Sequence, residues 1–136
     1  MAKVVAALAA LPAAARAQGG AVIRLRLGRV VLPARLDDHA TARDFASLLP
    51  LALTLRDHAA TEKISDLPRR LTLTGAPAGH DPRPGDIAYY APWGNLAIFH
   101  RDFGYSAGLV RLGRIEGDLA ALSRPGTIAA TIEVAA

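Results

Sequence analysis

The chain has 136 residues and a formal net charge of +4, and 51% of its residues are hydrophobic. This length suits a single domain, and the apolar fraction is large enough to fill a core, which excludes a chain that is disordered throughout. The absence of cysteine excludes disulfides, thiol nucleophiles and cysteine-ligated zinc. Of the 16 basic residues only Lys3 and Lys63 are lysine, which indicates a compositional bias towards arginine rather than a surface built for a polyanion.

Residues 1–17 differ from the rest of the chain and have the order of a secretory signal peptide. Lys3 precedes an apolar run, Pro12 interrupts that run, and residues 15–17 (Ala-Arg-Ala) place small side chains at the two positions that a signal peptidase reads. We therefore expect cleavage before Gln18 and export, to the periplasm. An alanine-rich first helix of a cytoplasmic protein is the alternative.

Cleavage would leave one mature domain over residues 21–134. It would remove Lys3 and Arg16 and no acidic residue, which lowers the net charge from +4 by two, to +2. No cluster of basic residues with interleaved aromatics remains, so we expect no nucleic-acid partner. The apolar run of the leader is too short to span a bilayer, and no membrane span is expected in the mature chain.

The mature chain has the periodicity of short β-strands. Apolar and polar residues alternate from Val22 to Leu27, Gly28-Arg29 is typical of a tight turn, and a second strand returns from Val30. Glycine and proline punctuate the rest, most densely in a loop at 75–85. The predicted strands are residues 22–27, 30–36, 51–56, 69–74, 86–91, 96–101, 109–115 and 127–134.

One main helix is predicted over residues 41–49. Thr41 and Asp44 have the spacing of a capping box, Phe45 lies on the apolar face as a core anchor, and Pro50 ends the helix. A short helical turn is expected at 118–122. Eight strands with little helix predict an all-β domain that closes into an eight-stranded barrel, since closure removes exposed strand edges.

Four segments carry a family resemblance: Thr41–Phe45, Glu62–Ile64, Gly85–Phe99 and Leu112–Ile115. They resemble a bacterial cyclophilin-like family of small proteins, many of them exported, whose biochemical role is not established. The likeness runs from about Val22 to Glu133. It implies a cyclophilin-like barrel capped by helices, similar in fold to peptidyl-prolyl isomerases.

The resemblance to the isomerases is weaker at the catalytic signature. Phe99-His100-Arg101 spells the F-H-R of these enzymes, but it follows Gly85-Asp86 and so belongs to a different strand by chain order. The position of the catalytic arginine corresponds to residues 67–71, without the phenylalanine and histidine expected beside it. Isomerisation by a lone arginine, Arg69 or Arg70, is therefore the alternative function, and a surface arginine beside a strand is the other interpretation.

Most of the aromatic residues lie between positions 89 and 105, and the single tryptophan, Trp93, occupies a Pro-Trp-Gly-Asn turn. A small barrel fills its interior with aliphatic side chains, so we expect the aromatics to collect at an open end of the barrel. The predicted ligand site comprises Trp93, Tyr90 and Asn95, with Arg114 or Glu62 as the polar contact. Alternatively, Trp93 plugs the barrel end and Asn95 bonds the turn backbone.

The remaining motifs predict neither a metal nor a cofactor. The four histidines, at positions 39, 58, 80 and 100, show no His-x-His or HExxH spacing. Neither a Gly-x-Ser-x-Gly elbow nor a phosphate-binding glycine loop is present. The sequence therefore favours a module that binds a peptide or a small molecule, with no established catalysis.

Overall fold

The computed structural model describes residues 20–135, so the predicted signal peptide lies outside the described residues. The strands are β1 (Val22–Leu27), β2 (Val30–Leu36), β3 (Leu51–His58), β4 (Glu62–Asp66), β5 (Gly79–His80), β6 (Asp86–Tyr90), β7 (Asn95–Phe99), β8 (Ser106–Ala107), β9 (Leu109–Ile115) and β10 (Ile128–Val134). The helices are α1 (Ala40–Ala46) and α2 (Ala120–Ser123).

Eight antiparallel strands close into a barrel in the order β1-β10-β3-β4-β7-β6-β9-β2, which confirms the predicted fold class. The remaining two, β5 and β8, pair with each other as a separate small sheet. Within residues 20–135 no helix has the length and apolarity that a bilayer crossing requires.

The barrel interior is filled by one face of each strand. In β1, Ile23 and Leu25 are fully buried, whereas Arg24 and Arg26 point outwards and both bond Glu133. Phe45 of α1 is also fully buried in this inner cluster, as its place on the helix face predicted. Strand alternation therefore places aliphatic side chains inside, as expected for a barrel of this size.

Helix α1 is shorter than predicted and begins with a different cap. Its N-cap is His39, whose Nδ1 accepts a hydrogen bond from the Ala42 backbone N–H at 3.1 Å. The predicted capping box of Thr41 and Asp44 is wrong, because both side chains bond Thr72 instead. The Thr41 hydroxyl donates to the Thr72 carbonyl, and Asp44 accepts the Thr72 N–H, each at 2.7 Å.

These bonds explain why the predicted strand at 69–74 is wrong. The backbone of Thr72 is engaged by helix side chains, and the Leu71 N–H donates to the Tyr89 hydroxyl at 3.1 Å. The segment is therefore held against α1 without a ladder partner, and Glu62–Asp66 takes the fourth place in the barrel. The other seven predicted strands correspond to barrel strands.

Strand β4 carries a lysine that points into the protein. Lys63 is 1% exposed, and its Nζ donates to Asp57 Oδ1 at 2.6 Å and to the carbonyls of Arg124 and Gly126 at 2.7 and 2.5 Å. An ammonium group has three donors, so all are used. Lys63 therefore connects β4 to the segment after α2. Helix α2 begins at Ala120, two residues later than predicted.

A second group of buried apolar residues lies on the outside of the barrel. In β7, Leu96 and Ile98 belong to the inner cluster, whereas the alternate residues Ala97 and Phe99 pack outside. This outer cluster comprises Ile64, Ala88, Ala97, Phe99 and Leu109, with Tyr90 against it. All five residues of β7 are buried, so β7 is covered on both faces.

Candidate functional site

A cavity of about 160 Å³ opens on the outer cluster, over strands β4, β6, β7 and β9. The aromatic side chains expected at an open end of the barrel therefore meet on its outer face, because the alternate residues of these strands bury a second apolar surface on the outside. The cavity is lined by His58, Glu62, Ile64, Tyr90, Trp93, Asn95, Phe99, Phe103, Ser106 and Leu109.

Aromatic rings form one corner of the cavity. The Trp93 indole lies 5.4 Å from the ring of Tyr90 and 5.4 Å from that of His58, with interplanar angles of 79° and 88°. Such edge-to-face contacts are the favoured arrangement of aromatic pairs. Trp93 is nevertheless 57% exposed, so it covers the cavity rather than plugging the barrel.

The turn that carries Trp93 is held on both sides. The backbone N–H groups of Trp93 and Gly94 donate to the Tyr90 carbonyl at 3.2 and 2.9 Å, and Gly94 has a φ of +65°, which favours glycine. The Arg70 guanidinium donates to the Ala91 carbonyl at 2.7 Å. Arg70 thus supports the turn from outside the cavity.

Asn95 begins β7 directly after this turn and faces the cavity. Its side chain is 2% exposed, and its Oδ1 has no hydrogen-bond partner among residues 20–135. The alternative in which Asn95 bonds the turn backbone through this oxygen is therefore wrong. Leaving a buried acceptor unpaired is unfavourable, so such a group calls for an explanation.

Glu62 begins β4 and lies beside Phe99 in the strand register. It is 7% exposed and accepts one hydrogen bond, from the Thr61 hydroxyl to Oε2 at 3.0 Å. Burial raises the pKa of the Glu62 carboxyl, against the smaller lowering effects of Thr61 and His58. The cavity therefore holds a carboxyl group whose ionised form is poorly compensated by residues 20–135.

Four of the five predicted site residues meet in this cavity: Glu62, Tyr90, Trp93 and Asn95. The fifth, Arg114, does not line it and instead donates to the fully buried Asp86 at 2.9 Å. His80 and the Arg83 backbone bond the other oxygen of Asp86, so Arg114 belongs to a structural network.

The two candidate catalytic arginines also lie outside the cavity. Arg69 donates to the Asp44 carboxylate through both terminal nitrogens, at 3.0 and 2.8 Å, and Arg70 donates to the Ala91 carbonyl beside the Trp93 turn. The hydrogen bond to Asp44 raises the pKa of the Arg69 guanidinium, and the same bond lowers the pKa of Asp44. Among residues 20–135, no arginine lines the cavity.

Six cavity-lining residues were not among the predicted site residues: His58, Ile64, Phe99, Phe103, Ser106 and Leu109. His58 reaches the cavity as the register partner of Glu62 across β3 and β4. Phe103 packs on Phe99 with ring centroids 6.1 Å apart. One feature of the sequence could have indicated these residues. The strand from Asn95 to Phe99 has apolar residues on both faces, which is typical of a strand whose outer face is also covered.

Comparisons with known proteins found a matching family model and a solved structure with a similar fold. A family model for the Cyclophilin-like family matches residues 25–133. The chain is similar to the solution structure of the hypothetical protein AF2241 from Archaeoglobus fulgidus, with 17% identity and a TM-score of 0.59 over 85% of this chain and 95% of that chain. At this identity the likeness shows the fold alone. No curated protein matches the sequence.

Proposed function

The chain belongs to the Cyclophilin-like family, and we propose that it binds a small molecule or a peptide side chain, without catalysis, in the cavity beneath Trp93. The observation that carries this proposal is a nearly buried carboxyl group in the cavity wall, that of Glu62, which accepts one hydrogen bond and has no ion pair among residues 20–135. A buried polar group in this state is explained if a ligand completes its hydrogen bonding.

The composition of the cavity wall supports the proposal. Ligand sites are concave and mostly apolar, with a few polar groups that fix orientation. Here Ile64, Phe99 and Leu109 form apolar walls, while Glu62 and Asn95 supply polar atoms. A cavity of about 160 Å³ is comparable to one that holds benzene, so it suits a compact group rather than a large cofactor.

Trp93 provides a direct assay, because it is the only tryptophan in the chain. We expect fragments of about benzene size, screened by nuclear magnetic resonance, to include binders that change Trp93 emission. Binding should weaken in Trp93→Phe. The matched control is Leu73→Ala, which shortens an exposed apolar side chain outside the cavity and should preserve affinity. A binder that leaves the emission unaltered and keeps full affinity for Trp93→Phe would place the site elsewhere.

Prolyl isomerisation is the alternative that the sequence left open. A protease-coupled assay with a proline peptide separates the two functions, since the binding proposal predicts no acceleration. Turnover that is lost in Arg69→Ala or Arg70→Ala, with the fold intact by circular dichroism, would overturn the preference for a binding module.

A further inference from the structure

The charged group of the cavity wall is a hydrogen-bond acceptor. Glu62 offers carboxylate oxygens, and no lysine or arginine is among the cavity-lining residues within 20–135. The hydroxyls of Tyr90 and Ser106 and the amide of Asn95 can donate as well as accept, so they suit either kind of ligand group. A ligand that satisfies Glu62 must therefore bring hydrogen-bond donors.

The electrostatics of Glu62 indicate that the ligand group should also carry a positive charge. Glu62 is nearly buried, its one hydrogen bond comes from the neutral hydroxyl of Thr61, and it has no ion pair among residues 20–135. A carboxylate in this environment is penalised by burial, and a cation brought into contact with it removes the penalty. Free Glu62 thus lacks the counter-charge that a ligand can supply.

The surrounding rings favour the same kind of group. Tyr90 and Trp93 meet nearly at right angles, and Phe99 and Phe103 stand on the walls. Aromatic faces attract ammonium groups, and rings set at angles to one another are typical of sites for organic cations. From this combination we propose that the buried end of the ligand is an ammonium group, held between Glu62 and the rings.

This inference rests on the proposed binding function and specifies the chemistry of its ligand. The ammonium nitrogen donates to Glu62, while a short apolar stem lies against Ile64 and Leu109. The cavity volume of about 160 Å³ limits the stem to about the size of a benzene ring.

The test compares two probes that differ in charge and are nearly identical in shape, benzylammonium and benzyl alcohol. Binding to the full chain is measured by Trp93 emission and by amide chemical shifts. We expect benzylammonium to bind at least about tenfold more tightly, the effect of a hydrogen bond to a charged group. In Glu62→Gln this preference should vanish, whereas benzyl alcohol should still bind, which also shows that the cavity remains folded.

Two control variants locate the effect. Glu116→Gln makes the same chemical change at an exposed carboxylate outside the cavity and should retain the preference for benzylammonium. Asp81→Asn makes the corresponding change at another exposed carboxylate outside the cavity and should retain it as well. Loss of the preference in Glu116→Gln would reveal a general charge effect and overturn the assignment to Glu62.

The outcomes separate this inference from the proposed function. If benzyl alcohol binds as tightly as benzylammonium, the inference of an ammonium ligand is wrong, although the cavity still binds ligands. If neither probe perturbs the cavity residues, both proposals fail. A third probe, Nα-acetyl-lysine methylamide, carries the ammonium on a peptide backbone. Tighter binding than benzylammonium identifies a lysine side chain as the natural source, and weaker binding identifies a free amine.

Discussion

Replacing Asn95 with leucine tests whether the site reduces the stability of the fold. The two side chains have the same branching and number of heavy atoms, and Asn95 lines a cavity of about 160 Å³, so leucine has room. Burial of an unpaired amide oxygen costs about 1–3 kcal/mol in proteins. We therefore expect Asn95→Leu to raise the free energy of unfolding by an amount in this range, or the melting temperature by about 3–6 °C for each kcal/mol.

Urea denaturation monitored by circular dichroism measures the change, with the slope of the transition confirming a comparable unfolded state. Thr41→Val is the matched control, because Thr41 is equally buried and its hydroxyl is paired with the Thr72 carbonyl at 2.7 Å. That near-isosteric change should lower the free energy of unfolding by about 1 kcal/mol. Unchanged or reduced stability in Asn95→Leu would refute the argument, since it would mean that the oxygen is satisfied in solution.

Three further predictions concern the core, the cavity carboxyl and the leader. Phe45→Ala should lower the free energy of unfolding by about 3–5 kcal/mol, and wild-type stability on denaturation would contradict its place in the core. Burial raises the pKa of Glu62 above its ordinary 4.5, so the folded state holds the proton more tightly than the unfolded chain and loses stability as pH rises from 4.5 through the raised value. Glu62→Gln lacks this loss, and its stability relative to wild type should increase across that interval; a difference independent of pH in urea titrations would exclude the effect. N-terminal sequencing of protein from the native host should begin at Gln18, whereas a start at Met1 or Ala2 would refute cleavage.

Local patterns in the sequence were sufficient for most of the barrel. Alternation from Val22 to Leu27 and the Gly28-Arg29 turn specify the first hairpin, and helical spacing buries Phe45. Each of these features depends on residues that are close in the chain, so periodicity and turn chemistry carry the information. The same holds for Tyr89 and Tyr90, which alternation sends to the inner cluster and to the cavity.

The choice of the fourth barrel strand was decided by distant contacts. Residues 69–74 have the composition of a strand, but Asp44, Thr41 and Tyr89 bind the backbone of Leu71 and Thr72. Glu62–Asp66 contains a lysine at its second position, which disfavours a buried strand unless three acceptors from elsewhere in the chain satisfy it. Neither fact is visible in a local window.

The candidate site shows the same division. The sequence identified Glu62, Tyr90, Trp93 and Asn95 by residue type and by family resemblance, but it placed them at an open end of the barrel with Arg114 beside them. Their position on the outer face follows from the adjacency of β4, β7, β6 and β9, which hydrogen bonding between strands distant in sequence determines. Arg114 does not line the cavity because it pairs with the fully buried Asp86. A buried carboxylate is stabilised only when a cation lies beside it, and the fold places Arg114 there.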